Sequence, residues 1–198
     1  MGSLASAHSP PDMVLTVNGC LLFGCFLGTA ACMHYDASKV AGEPALLKPA
    51  KFCISFAMFS WSMAWILPMI DARSGAVIRW PLAVVTTAET ALIVLQGVRG
   101  VRSHFNTSTA FNEAVFNTMG LLIAANTLLV LAALALLGST AKDPAMTASV
   151  RAGLLSVLFG SAVGFIMVGE RGHAACGRTG WRHDLRIPHA IGLHGLQV

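Results

Sequence analysis

The stretch "VFNTMGLLIAANTLLVLAALALLG", Val115–Gly138, decides the fold class of this chain. It runs for 24 residues without a charged side chain. A helix rises about 1.5 Å per residue, so about 20 apolar residues cross the hydrocarbon core of a bilayer. Backbone in lipid must form a helix or a closed barrel, and this stretch lacks the alternation of a strand. It therefore predicts a transmembrane helix.

Four further apolar segments of similar length precede or follow it, at Met13–Met33, Phe52–Ile70, Trp80–Val98 and Ala152–Gly169. The predicted fold is therefore all-α, a polytopic transmembrane helix bundle with five complete helices. We place the helices at 13–33, 52–70, 80–98, 115–138 and 152–169. Residues 1–12 form an extramembrane tail, and residues 13–198 form a single transmembrane domain. Residues 187–198 look like the start of a sixth helix that is too short to span. Either the chain is truncated there, which we favour, or its end lies at the membrane interface.

The composition supports this interpretation. The chain has 198 residues, of which 55% are hydrophobic and 11% are charged. Ordinary soluble domains carry about 25% charged residues, so much of this surface must face lipid. The net charge of +4 is spread along the sequence without a run of Lys or Arg. The lipid bilayer is the predicted partner, membrane proteins or a second copy are possible partners, and nucleic acid is not expected.

The distribution of basic residues predicts an orientation. With five helices, 4 of the 13 Lys and Arg residues fall on the side of the N-terminus and 9 fall on the other side. The positive-inside rule then places the N-terminus outside and the basic connections in the cytoplasm.

Two sequence blocks resemble a known group of proteins. "RGVRSHFN" at 99–106 and "DLRIPHAIGLHGLQ" at 184–197 are similar to blocks of an uncharacterised family of polytopic bacterial membrane proteins. The resemblance covers roughly residues 50–198. It implies a multi-helix fold in the bacterial cytoplasmic membrane and a chain that continues past Val198. It implies no activity. The chain departs from the family pattern at Gly195, where Ala is usual.

Glu89 is the most informative single residue. It lies in the middle of the third apolar segment, where a carboxylate costs several kcal/mol unless it is protonated or faces polar partners. Helical periodicity places Thr86 and Gln96 on the same face. One hypothesis is a proton carrier or a ligand to a buried polar cofactor. The alternative is a neutral glutamic acid that bonds a neighbouring helix.

Other polar and small residues inside the helices predict packing. Asn18, Asn117 and Asn126 are interpreted as interhelical hydrogen-bonding residues rather than as a site. Gly24 and Gly28 form one GxxxG pattern, and Gly160 and Gly164 form another. Such patterns let helix backbones approach closely, within one chain or between two subunits.

Three histidines fall near the predicted cytoplasmic boundary, namely His104, His189 and His194. They are candidate ligands for a metal, or for a haem held by a pair of them. Histidines five residues apart on a helix point about 140° apart, so His189 and His194 are poor ligands of one ion. The simpler alternative is that all three bond headgroups, carbonyls or water. The odd number of cysteines and their spacing favour packing roles over disulfides or zinc.

Three functions therefore compete, and no catalytic motif decides whether the protein is an enzyme. The first is a non-catalytic membrane subunit or scaffold, which the absence of a soluble domain favours slightly. The second is a redox protein that binds haem or metal. The third is a proton-coupled transporter that uses Glu89.

Overall fold

The computed structural model describes residues 10–70, 72–137, 144–169, 174–176 and 182–196, and it confirms an all-α helix bundle. The helices of the described residues are α1 (Met13–Tyr35), α2 (Leu47–Ile66), α3 (Ala72–Val98), α4 (Ala110–Leu136), α5 (Pro144–Gly169) and α6 (Arg186–His194). A 3-10 turn, Leu67–Met69, follows α2. Five helices are long and apolar enough to cross a membrane, and α6 has 9 residues.

Two small antiparallel hairpins lie in the connections. Strand β1 (Lys39–Val40) pairs with β2 (Glu43–Pro44) around Ala41 and Gly42, which both have positive φ angles. Strand β3 (Ala174–Cys176) pairs with β4 (Arg182–Asp184) just before α6. Residues 1–9 of the predicted tail, Gly138 of the fourth predicted helix and residues 197–198 of the sixth lie outside the described residues.

Most of the helices begin earlier than the hydropathy pattern indicated. The second begins at Leu47 rather than 52, the fourth at Ala110 rather than 115, and the fifth at Pro144 rather than 152. Hydropathy marks the apolar part of a helix, whereas the helix itself continues into polar turns. In α4 the cap explains the difference, because the Thr109 side chain accepts a hydrogen bond from the Asn112 backbone N–H at 3.2 Å.

The predicted start of the third helix at Trp80-Pro81 is wrong. Helix α3 begins at Ala72 and carries Pro81 in its interior. An interior proline removes one helical hydrogen bond, but transmembrane helices tolerate it because their neighbours compensate. The proline signal therefore did not mark a helix end in this chain.

The core lies where α1 to α5 meet, and its fully buried members include Leu15, Met63, Leu82, Val130 and Leu154. The outward faces are equally apolar. Val77 is 72% exposed and Leu121 is 73% exposed. An apolar outer surface on helices of spanning length is what lipid requires, since water would disfavour it.

Polar contacts tie the first three helices together. Asn18 of α1 donates hydrogen bonds to Ser60 of α2 and to Thr86 of α3, both at 3.0 Å. Its side-chain oxygen accepts a hydrogen bond from Thr87 at 2.7 Å. Asn18 thus makes the interhelical bonds that the sequence predicted for it.

Helix α6 packs antiparallel along α5. Gly192 approaches so closely that an added Cβ would lie 2.5 Å from the Cα of Gly160. One turn before Gly160 on α5, Ser156 donates a hydrogen bond to the Gly192 carbonyl at 3.1 Å. This packing carries α6 back along the bundle and places His189 beside α5.

Candidate functional site

A cavity of about 160 Å³ lies inside the bundle, bounded by helices α2 to α6 and by the connection between α3 and α4. Most of its wall is apolar, and phenylalanine is the commonest residue in it. A few polar side chains interrupt this wall, namely Ser55, Glu89, His104, Asn126, Ser161 and His189. An apolar cavity with a few convergent polar groups is the usual form of a small-molecule site.

Glu89 is the acidic residue among the described residues that line this cavity. Its side chain is 2% exposed, and within the described part of the chain its buried Oε2 has no hydrogen-bond partner. Thr86, predicted on the same face, instead donates to the Leu82 carbonyl at 2.9 Å and accepts from Asn18. Thr86, the polar residue predicted beside Glu89 on α3, is therefore already hydrogen-bonded to other groups.

Asn126 stands in the cavity wall on α4. Its buried Oδ1 likewise finds no hydrogen-bond partner among the residues that the structure describes. The hydrogen bond to another helix that was predicted for Asn126 is thus not made through this oxygen. An unbonded buried amide oxygen costs free energy, so Asn126 joins Glu89 as a group open to a ligand.

His189 on α6 has a defined tautomer. Its Nδ1 lies 2.7 Å from the Gly160 carbonyl oxygen, which can only accept, so Nδ1 carries the hydrogen and donates it. In a neutral imidazole, Nε2 is then the nitrogen that accepts a hydrogen bond. Gly164 makes room for the ring, because a Cβ there would lie 2.8 Å from Cε1 of His189.

His104 enters the cavity wall from the connection between α3 and α4. Its ring lies 5.7 Å from the Phe52 ring and 6.4 Å from the Phe116 ring, measured between centroids. Nδ1 of His104 is 3.0 Å from the Ser103 hydroxyl. The following residue, Phe105, has a φ of 56°, an uncommon value for a bulky side chain.

Two predicted site residues lie elsewhere. Gln96 is buried but bonds Asn112 at 3.2 Å and accepts a hydrogen bond from Arg99. His194 lies five residues beyond His189 on α6, is exposed and does not line the cavity.

Among the described residues, no group of three or more His, Cys, Asp or Glu side chains could hold a metal ion. His104, His189 and His194 therefore do not form a three-ligand centre.

The two GxxxG patterns have different surroundings. Gly160 and Gly164 contact α6, whereas an added Cβ at Gly24 or Gly28 would meet no described atom within 4 Å. Gly160 and Gly164 thus serve packing within the chain. Gly24 and Gly28 lie on an open face of α1.

Sequence reasoning missed Ser55, Ser161 and the phenylalanines of the wall. Ser161 follows Gly160 inside an apolar run, and a polar residue there was a usable signal. The phenylalanines gave none, because an aromatic residue in an apolar helix faces lipid as readily as a cavity.

These features define the class of the protein, which is a multi-pass integral membrane protein whose helix bundle encloses a largely apolar cavity with a few polar side chains. Comparison of the chain with protein-family models, curated proteins and solved structures finds no match.

Proposed function

We propose that this protein is a proton-coupled transporter of a small molecule, with Glu89 as the proton carrier. The observation that carries this proposal is the buried Oε2 of Glu89 at the wall of the cavity, for which the described residues supply no hydrogen-bond partner. Acids inside membrane segments are costly and usually functional, and Oε2 of this one has no hydrogen-bond partner among the residues that the structure describes.

The size of the cavity limits its ligand. In another protein, an apolar cavity of about 150 Å³ accommodates benzene. The 160 Å³ here therefore suits a molecule of about that size with one or two polar groups. A porphyrin is several times larger than benzene, so the volume favours the transporter over a haem-binding redox protein.

The titratable groups around Glu89 suggest how a proton reaches it. His104 and His189 share the cavity wall, and Lys48 of α2 interacts electrostatically with Glu89. His104 lies in the connection after α3, at the end of the bundle that carries most of the basic residues. From the positive-inside rule we expect this end to be cytoplasmic and the N-terminus external, and the family resemblance implies a bacterial membrane. A proton would then enter through His104 from the cytoplasm.

The proposal is tested in liposomes that contain the purified chain and an entrapped pH-sensitive dye. Small solutes are added outside, and the resulting change of internal pH is recorded. We expect at least one solute to move protons in the wild type, and Glu89→Gln to abolish the response. Glu113→Gln is the matched control, because Glu113 is an exposed glutamate on α4. Proton movement that survives Glu89→Gln would reject the role of Glu89.

One observation favours the alternative of a membrane subunit or scaffold. Gly24 and Gly28 lie on an open face of α1, where a GxxxG pattern would let a second transmembrane helix approach closely. Chemical cross-linking in native membranes tests this alternative. Gly24→Leu with Gly28→Leu should remove a cross-linked species, whereas Ala114→Leu on the exposed face of α4 should not. A chain that cross-links to nothing would speak against the subunit role.

A further inference from the structure

A second cavity of about 590 Å³ lies where α2 begins and α3 ends. Its wall contains four basic side chains, Lys48, Lys51, Arg102 and Arg186. They come from three separate segments, the first turns of α2, the connection after α3 and the start of α6. The fold thus gathers cations that are far apart in the sequence. We call this cavity the basic pocket.

Positive charge exceeds negative charge in the basic pocket. Glu43 is the acidic residue of the wall, and Arg186 is paired with Asp184, with 2.6 Å between Nη2 and Oδ2. Lys48, Lys51 and Arg102 form no ion pair with a carboxylate among the described residues. The Lys48 ammonium lies 5.7 Å from the centre of the Phe52 ring and also interacts with Glu89. Lys51 and Arg102 are therefore the cations most available to an outside anion.

The basic pocket lies where two apolar spans begin or end, which is the level expected for the edge of the hydrocarbon layer. The apolar span of α2 begins at Leu47 and that of α3 ends at Val98. Apolar side chains complete the wall, among them the fully buried Ile93. A ligand with a charged head and an apolar continuation matches this division between cations and apolar surface.

We propose that the basic pocket binds an anionic phosphate group, supplied by the headgroup of a phospholipid. Arginine recognises phosphate through two parallel hydrogen bonds, and lysine adds a point charge. Basic pockets between transmembrane helices on the cytoplasmic side are a known form of anionic lipid site. The proposal does not depend on transport, because it assigns the phosphate contacts to Lys51 and Arg102, which do not line the first cavity, although His104 lines both cavities.

The test uses the full chain purified in detergent, with thermal unfolding as the measurement. Short-chain phosphatidylglycerol, short-chain phosphatidylcholine and inorganic phosphate are titrated separately at constant ionic strength. A ligand that binds the folded state raises the unfolding temperature as its concentration rises. We expect phosphatidylglycerol to act at lower concentrations than phosphatidylcholine. An effect of inorganic phosphate as well would support the phosphate chemistry and identify free phosphate as a second source.

Two charge-matched double variants locate the effect. Lys51→Gln with Arg102→Gln removes two cations from the basic pocket, and the half-saturating concentration of phosphatidylglycerol should rise at least about tenfold. Arg73→Gln with Arg151→Gln removes two exposed cations near the starts of α3 and α5, which do not line the pocket, and should leave it unchanged. Equal responses to the two lipids, or equal losses in both variants, would overturn the proposal. If the pocket variant does not purify, the single change Arg102→Gln replaces it under the same criteria.

Discussion

Glu89 on α3 and Asn126 on α4 line the same cavity, and each keeps one buried oxygen without a hydrogen-bond partner among the described residues. Both oxygens accept hydrogen bonds when Glu89 is ionised, so the complementary ligand is a donor. A proton on Glu89 changes that pattern, since a carboxylic acid also donates. The pair therefore links the protonation of Glu89 to the kind of ligand that the cavity holds.

The first prediction concerns Asn126. Replacing a buried, unbonded amide with an apolar side chain of similar size is neutral or stabilising. We expect Asn126→Leu to leave the free energy of unfolding unchanged or to raise it by up to about 1 kcal/mol. Thermal unfolding in detergent measures this. A loss of 2 kcal/mol or more would show that Asn126 has a structural partner.

The second prediction concerns Asn18, which serves as the contrast. Asn18→Leu removes three interhelical hydrogen bonds. Such bonds contribute about 0.6 kcal/mol each in a membrane protein, so we expect a loss of about 2 kcal/mol. Asn117→Ala is the control, because Asn117 is exposed on α4. If both variants unfold at the wild-type temperature, Asn18 does not join the helices.

The third prediction concerns the contact between α5 and α6. A Cβ at Gly160 would lie 2.6 Å from the Leu193 backbone nitrogen, and backbone cannot move aside as a flexible side chain can. We expect Gly160→Ala to lower the free energy of unfolding by about 1–3 kcal/mol. Gly24→Ala has open space and should keep or raise stability, since Ala favours helix more than Gly does. Equal effects of the two changes would contradict the packing of α6 on α5.

The fourth prediction concerns two cysteines. The Sγ atoms of Cys25 on α1 and Cys53 on α2 lie 3.5 Å apart as free thiols. A membrane-permeable oxidant such as copper phenanthroline should therefore join them, with loss of one hydrogen from each thiol to the oxidant. Mass spectrometry after proteolysis should detect the linked peptides. Cys25→Ser should abolish the link and Cys20→Ser should not, because Cys20 is exposed. A link that forms only between exposed cysteines would contradict the packing of α1 on α2.

The sequence predicted the five spanning helices well, because their length and apolar content are strong local signals. Helix ends were less predictable. Pro81 is a helix-start signal in water, yet here it lies inside α3. Thr109 caps α4 before its apolar run begins. In both cases the helix begins in turns that precede its apolar run, and hydropathy does not record such turns.

The site was only partly predictable. Glu89 was identifiable because an acid in an apolar segment is costly wherever that segment packs. That Glu89 shares a cavity with His104, His189 and Asn126 could not be predicted, because one sequence does not show which helices are neighbours. For the same reason, the sequence could not distinguish the two glycine patterns. Their motifs are alike, yet Gly160 faces α6 and Gly24 faces open space.

The most direct test of the central hypothesis is infrared difference spectroscopy of the chain in lipid as the pH is changed. It follows the C=O stretching band of protonated carboxylic acids. If Glu89 is the exchangeable proton site of the cavity, one such band should change with pH in the wild type and in Glu113→Gln, and should be missing in Glu89→Gln. An unchanged band in Glu89→Gln would contradict a proton-carrying role for Glu89.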